Sequence, residues 1–538
     1  MERFFNNAGP NILEDHYSIP PLSRWDSDEI LSLIAQKRYF VLHAPRQTGK
    51  TSALLALMEK LNSEERYACL YVNIENAQTA RNDVDRGIRA IMSRIAYSAE
   101  VYLKTKQLHD WVKDIRGNDS AESMLTTLLQ EWSSHSDKPI VLLLDEIDAL
   151  VGDTLVSVLR QLRGGYAQRP EAFPQSVILC GVRDVRDYRI HTSNHEIITG
   201  GSAFNIKAES LRLGNFSQEE IALLLGQHTQ ETGQIFGKGV LEYIWEQTGG
   251  QPWLVNALAY QACFKDKSNR DRSITISWEK MVQAREELIQ RRDTHLDQLV
   301  DKLQEPRVHR VIAPILQNEN LEEKPALSPK PDDLQYLLDL GLVKKERGVV
   351  SIANKIYQEV IPRELTYMTQ IKFGPVYDPQ WYITEKNELE MVKLVGSFQE
   401  FFREHSESWL ECLEYKEAGP QLLLQAFLQR IINGGGRIER EYGLGRRRTD
   451  LLIQWPVDQA KGFYGPVQKV VLELKLLHKS VEQTKQIGLE QTANYMDLCG
   501  AEEGHLLIFD RGTVKSWEEK IYRQEVAFQG HSIAVWGM

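Results

Sequence analysis

Ala44-Pro45-Arg46-Gln47-Thr48-Gly49-Lys50-Thr51 is the stretch that decides the fold expected of this chain. The octet keeps the G-x-x-x-x-G-K-[ST] spacing, follows the apolar segment Tyr39 to His43, and leads into the helical run from Ser52 to Leu61. In that context it reads as a phosphate cradle. Gly49 lets the backbone curl so that its N–H groups face phosphate oxygens, the helix N-terminus adds partial positive charge, and Lys50 reaches the β- and γ-phosphates. Thr51 offers a hydroxyl to Mg²⁺. Ala44 stands where the pattern has its first glycine, a small enough change for nucleotide binding to survive.

Working outward, Ile140 to Leu144 reads as a buried strand that ends in Asp145-Glu146. Two carboxylates then emerge at the end of the sheet where switch-point ligands bind. Asp145 is assigned to Mg²⁺, and Glu146 to orienting and deprotonating the attacking water. Asp148 reads as a solvated charge rather than a supporting acid. The segments Tyr39 to His43, Ala68 to Ile74, Ile140 to Leu144, Val177 to Cys180 and Phe204 to Ile206 alternate with helical stretches, which predicts a parallel sheet covered by helices. Arg183, directly after one of these strands, is expected near the γ-phosphate, the alternative being a surface pairing with Asp184 or Asp187. Arg160, Arg163 and Arg169 read either as a finger for a neighbouring subunit in a homo-oligomer or as solvated helix charge.

From Leu213 the apolar period becomes helical, with Ser217 to Glu220 as a capping box. Residues 1–210 are therefore assigned to the nucleotide-binding core and 211–294 to a helical lid. Helices, a Gly341 stop and a hairpin from Leu342 to Ile352 turning near Gly348 make 295–368 a winged helix. Residues 369–385 read as a Pro-bearing linker, and 386–538 as a second α/β domain in which Asp450 to Trp455 and Lys469 to Leu477 pair and a final strand runs near His505 to Phe509.

That last domain carries chemistry of its own. Asp450 opens one strand, and Glu473-Leu474-Lys475 lies on the next, where positions two apart share a face. Two carboxylates can hold Mg²⁺ beside a scissile phosphate while a lysine stabilises the charge that develops. The apolar residues around Glu473 and Lys475 argue against a solvated strand and for a charged pair at a sheet edge. Gln491 and Tyr495, four apart on a helix, are placed to face them. Arg437, Arg440, Arg446, Arg447 and Arg448, just upstream, supply local positive charge for a nucleic-acid backbone.

The bulk composition bounds these readings. A length of 538 residues exceeds a single core, and 42% hydrophobic with 26% charged residues is the balance of a folded soluble protein. A net charge of −11 argues against coating nucleic acid over the whole surface. The five cysteines, widely separated, form no metal or disulfide pattern and fit a cytoplasmic location, and no segment reads as a signal peptide or membrane span.

Phe4 to Arg24, with Gly9-Pro10, His16-Tyr17 and Pro20-Pro21, together with the phosphate loop and the Asp145-Glu146 pair, resembles the bacterial AAA-like P-loop ATPases related to the STAND and origin-recognition ATPases. The resemblance runs from about residue 2 to 366 and implies ATP and Mg²⁺ as cofactors. It also implies an adenine-side linker that includes Tyr17 and Arg24, and a glycine-x-proline lid signature at Thr248 to Pro252, with Pro252 near the nucleotide. Residues 415–512 resemble the PD-(D/E)xK nuclease superfamily, a restriction-endonuclease-like α/β fold. Thr449-Asp450 stands for Pro-Asp, Glu473-Leu474-Lys475 for E-x-K, and Gln491-x-x-x-Tyr495 for the RecB-type motif. The helix Leu422 to Ile432 offers Gln425 where members carry a Glu, and Glu441 is the candidate replacement. The combined expectation is an ATPase controlling a Mg²⁺-dependent nuclease on DNA, ahead of RNA, of the kind found in genome defence. The alternatives are a signalling ATPase with a decayed nuclease-like binding module and a motor that remodels protein.

Overall fold

Ile140–Asp145 has every residue buried, as a strand must when helices cover both faces of its sheet. The protein is described from a computed structural model over residues 2–184, 189–191, 197–199, 204–291, 301–316, 330–346, 349–365, 381–412, 419–433, 435–440, 451–458, 461–477, 480–510, 512 and 515–538. By contact it divides into two units, the first comprising Met1–Asp293, Leu334–Val349 and Ala353–Lys355, the second Thr294–Asp333, Val350–Ile352 and Ile356–Met538.

The first unit is built around a five-stranded parallel sheet. The elements that frame the site are, in chain order, α1 (Ser27–Ala35), β1 (Tyr39–His43), α2 (Lys50–Ser63), β2 (Ala68–Asn73), α3 (Val84–Tyr102), α4 (Met124–His135), β3 (Ile140–Asp145), α5 (Gly152–Gly164), β4 (Ser176–Gly181) and β5 (Lys207–Arg212). The spatial order β2-β3-β4-β1-β5 puts the phosphate loop, between β1 and α2, beside the ends of β3 and β4. Strand alternation divides the core. Leu142 and Leu144 pack with Ile88, Ile91 and Leu128 on the α3–α5 side, whereas Val141 and Leu143 pack with Ile34, Leu54 and Leu57 beneath α1 and α2.

The fifth strand corrects the sequence expectation. Phe204 to Ile206 is a turn, and the strand begins at Lys207. Phe204 is buried and stacks on Tyr39 at 6.4 Å, so its hydrophobicity serves the core next to the strand. β5 is an edge strand whose Lys207 and Glu209 carry charge, which is why it shows no apolar run.

Helices α6 (Gln218–Thr232), α7 (Val240–Thr248), α8 (Pro252–Tyr260) and α9 (Trp278–Arg291) follow. The Ser217/Glu220 capping box is present, satisfying two backbone donors that a helix start otherwise leaves open. Between α7 and α8, Gly250 adopts φ +71, and a Cβ there would collide with the Phe216 carbonyl, so only glycine fits. The hairpin strands are β6 (Val343–Glu346) and β7 (Val349–Ile352), preceded by α10 (Pro331–Asp339) and followed by α11 (Lys355–Leu365); Gly348 lies outside the described residues.

The second unit holds α12 (Met391–Cys412), α13 (Gly419–Asn433), β8 (Arg437–Arg440), β9 (Leu451–Pro456), β10 (Val467–Leu476), α14 (Val481–Cys499), β11 (Glu503–Phe509), β12 (Tyr522–Phe528) and β13 (His531–Gly537). The six strands lie in the order β8-β9-β10-β11-β13-β12. β9 and β10 pair as expected, and do so antiparallel, from Leu451↔Leu472 to Pro456↔Val467. One finding differs from the sequence reading. The strand at Glu503–Phe509 is not the last, because the hairpin β12–β13 follows it, its outer strand too polar to register as an apolar run. The strand carrying Glu473 and Lys475 lies between β9 and β11, but at these two positions β11 is the only described partner, because the ladder to β9 ends at Leu472.

Candidate functional site

The phosphate loop leaves β1 at His43 and wraps into α2 through two left-handed residues, Gln47 at φ 57 and Gly49 at φ 91. Ala44 and Pro45 are buried, Arg46 and Gln47 exposed. The Thr48 hydroxyl donates to the Pro45 carbonyl at 2.8 Å, and Lys50 Nζ donates to the carbonyls of Ala44 and Pro45, each at 2.9 Å. Ser52 Oγ accepts from the Asn11 N–H at 3.0 Å, tying the N-terminal segment to α2. Ala44, fully buried, is accommodated within the loop.

Asp145 is fully buried and every oxygen is engaged. Oδ2 accepts from the Thr51 hydroxyl at 2.8 Å and the Tyr71 hydroxyl at 2.9 Å, and Oδ1 accepts from the Glu146 N–H at 3.0 Å. Thr51 and Asp145 thus meet as the sequence pattern requires. They are hard oxygen donors that fit Mg²⁺, which when bound would neutralise phosphate charge there. Tyr71 was not legible in the sequence, being one aromatic in an apolar strand.

Glu146 sits in the left-handed region at φ 63 and ψ 43, an arrangement uncommon outside glycine that turns its side chain away from the strand direction. Burial, reinforced by the Asp145 charge, raises its carboxyl above the usual value near 4.5, while Lys50 and Arg46 pull the other way. A carboxylate that is to accept a proton must be ionised. Turnover is therefore expected to fall on acidification with a midpoint above 4.5, and a kcat–pH profile of wild type against Glu146→Gln checks this, the variant lacking that acid limb. Its stability linkage has the opposite sign to that of a paired carboxylate. The contribution is complete below the unfolded-state value and is lost as pH rises through the raised folded one.

Arg183 follows β4, and Asp187, one of its two expected alternative partners, lies outside the described residues. The Arg183 Nε lies 3.7 Å from Asp339 Oδ2, and its guanidinium lies over Tyr336, 4.9 Å from the ring centroid. Asp184 forms a buried ion pair with Lys207 at 2.6 Å. Asp339 was invisible to sequence reasoning because it is remote along the chain. Asp148, expected in solvent, accepts a hydrogen bond from the Val182 N–H. The solvated reading fails because the turn after Glu146 folds Asp148 onto the end of β4.

Arg24, in the linker before α1, donates to the carbonyls of Thr48 and Gly214 and lies over Phe216 at 4.7 Å. Burial draws its guanidinium down to about 10. A cavity of about 180 Å³ opens beside it, lined by Trp25, His43, Lys50, Leu211 and Leu213 among others. Arg24 Nε, Trp25 Nε1 and His43 Nδ1 are buried without a hydrogen-bond partner among the described residues, and burial, partly offset by Asp184, holds His43 down to about 4 and so neutral. Tyr17 lies farther into the α6 helix, its hydroxyl 3.1 Å from His228 Nδ1. Pro252 opens α8 as its first residue, behind Gln251, whose side chain caps the helix through Leu254 N–H.

In the second unit Glu473 is fully buried, and Lys475 Nζ donates to its Oε1 at 2.5 Å. Both share the face of β10 that carries Val471, against which α14 packs through Tyr495, Leu489 and Met496. Gln491, one turn before Tyr495, has its Oε1 buried. Asp450, Glu441, Arg446, Arg447 and Arg448 lie outside the described residues, and the ladder's last described pair, Leu451↔Leu472, stops one step short of Glu473. Among the described residues no group of three or more His, Cys, Asp or Glu is arranged to hold a metal ion.

A parallel sheet of this strand order, with a phosphate loop after β1 and an Asp-Glu turn after β3, defines an AAA-like P-loop ATPase. Residues 26–362, more than half of the chain, match the family described as AAA-like domain, and the protein belongs to that family. No curated protein matches the chain. Similar solved structures include the Walker-type ATPase PABY2304 of Pyrococcus abyssi, at 14% identity over 66% of this chain and 99% of that one, with a TM-score of 0.46. Others are the ORC2 protein of Aeropyrum pernix, solved as ADPNP-ADP complexes (16%, 66% and 96%, TM-score 0.39), and Cdc6p from Pyrobaculum aerophilum (16%, 66% and 97%, TM-score 0.36). No helix among the described residues is long and apolar enough to cross a membrane.

Proposed function

We propose that this ATPase controls a Mg²⁺-dependent nuclease carried on the same chain, which hydrolyses phosphodiester bonds in DNA and serves genome defence. The observation that carries the reading is the fully buried Glu473 with its Lys475 partner on an interior strand of a second α/β sheet, separate from the ATPase core. Burying the Glu473 carboxylate costs several kcal/mol, on the order of what a purely structural strand avoids by carrying an apolar residue there. Retaining Glu473 and Lys475 on consecutive same-face positions favours chemistry. Arg437, on β8 one strand beyond β9, adds a cationic group suited to a phosphate backbone.

On the ATPase side, Lys50 and the loop amides bind the β- and γ-phosphates, Thr51 and Asp145 hold Mg²⁺, Glu146 takes a proton from the attacking water, and Arg183 reads the γ-phosphate charge. The nucleoside end enters the cavity beside Arg24, whose unpartnered donors suit its acceptors.

Lys50→Ala tests the coupling. It is expected to abolish ATP turnover and, with it, ATP-dependent plasmid cleavage, while circular dichroism shows the fold retained. Cleavage that continues unchanged in this variant would sever the nuclease from ATP control. A second reading, an ATPase with an inactive nuclease-like binding module, is favoured by the absence of an acid between Leu422 and Ile432; a structure with Mg²⁺ soaked in would support it by finding no ion at Glu473.

A further inference from the structure

Asp148 lies outside every role assigned above, yet it holds a peptide unit on which three loops of the ATPase site meet. β3 and β4 end side by side, in register at Leu144↔Leu179, so the turn after Glu146 and the loop carrying Arg183 leave the sheet as neighbours. The peptide between Gly181 and Val182 is held at both ends. Its carbonyl accepts from the Ala44 N–H of the phosphate loop at 3.2 Å, and its N–H donates to Asp148 Oδ2. A peptide plane is rigid, so fixing its two polar ends fixes its orientation, and Arg183 follows one residue later. The sequence makes room for this contact. Position 181 is glycine, and a Cβ there would overlap the Asp148 carboxylate and come within 2.9 Å of Ile147 Cγ2. Ile147, fully buried, anchors the turn from the other side, and the Ala149 N–H closes it on the Glu146 carbonyl at 3.0 Å.

We infer that Asp148 is a positioning residue for hydrolysis: it locks the Arg183 loop to the turn that presents Glu146, so that the water-activating carboxylate and the γ-phosphate-reading guanidinium keep a fixed mutual geometry. The inference rests on the proposed roles of Glu146 and Arg183. A carboxylate suits the task because a charge-assisted bond to a backbone N–H is about twice as strong as a neutral one. It acts without touching substrate, so it sets the rate of the chemical step and leaves ATP affinity to the phosphate loop.

A double-mutant cycle on the full-length protein tests it. Asp148→Ala is expected to lower kcat for ATP by about tenfold or more with KM changed less than about threefold, the signature of lost transition-state geometry. In an Arg183→Ala background the same substitution is expected to add almost nothing, because the group it positions is gone. Asp148→Asn, which keeps an acceptor for the Val182 N–H and guards against misfolding of the alanine variant, is expected to recover most of the rate. Equal losses in both backgrounds, or an asparagine variant as impaired as alanine, would overturn the inference. If Arg183→Ala itself leaves kcat unchanged, the γ-phosphate role of Arg183 is what fails, and the positioning role falls with it.

Discussion

Glu146→Gln is expected to reduce ATP turnover by about 10²- to 10⁴-fold, the range associated with loss of a positioned general base. The substitution is nearly isosteric and keeps the backbone donor to Asp145, so Thr51, Tyr71 and Asp145 retain their network. Nucleotide binding is therefore expected to persist, and fluorescent-ATP titration beside a phosphate-release assay separates the two quantities. The environment amplifies the effect. Glu146 is raised by burial and by Asp145, which makes it a stronger proton acceptor than an exposed carboxylate. Turnover within a few-fold of wild type would remove Glu146 from the chemical step.

The second large effect belongs to the other unit. Glu473→Gln is expected to reduce plasmid cleavage by about a thousandfold, corresponding to roughly 4 kcal/mol of lost charge stabilisation. Asp450→Ala is expected to match it, because the two acids proposed to hold one ion would act together and their losses would not add. ATP turnover serves as the internal control for folding. Since Glu473→Gln leaves the Lys475 ammonium without its buried counter-charge, a lowered thermal midpoint is expected alongside, and Glu473→Gln/Lys475→Met restores stability without restoring cleavage. Cleavage that survives either acid substitution would end the nuclease assignment.

The sequence exposed whatever is local in the chain. The phosphate loop, the Asp145-Glu146 pair, the capping box at Ser217 and the buried runs of β1 to β4 were legible because each depends on spacing or periodicity within a few residues. Contacts that join remote segments were not. Tyr71 reaches Asp145, Asp339 reaches Arg183 and Asp148 reaches Val182 only after the strands align, and none carries a pattern of its own. β5 and β12 escaped for a different reason: edge strands carry charge to discourage further pairing, which erases the hydrophobic signal by which strands are found.

The left-handed turn at Glu146 sets two demands on one position. Backbone preference alone would favour glycine there, and a side chain costs on the order of 1 kcal/mol in that conformation. A glycine would ease the turn and abolish the proton acceptor; a glutamate in relaxed backbone would keep the acceptor but point it elsewhere and release Asp148 from β4. Selection for thermal robustness and selection for turnover therefore pull this residue in opposite directions, so variants screened for heat resistance alone should drift at position 146 toward a more stable and catalytically silent protein.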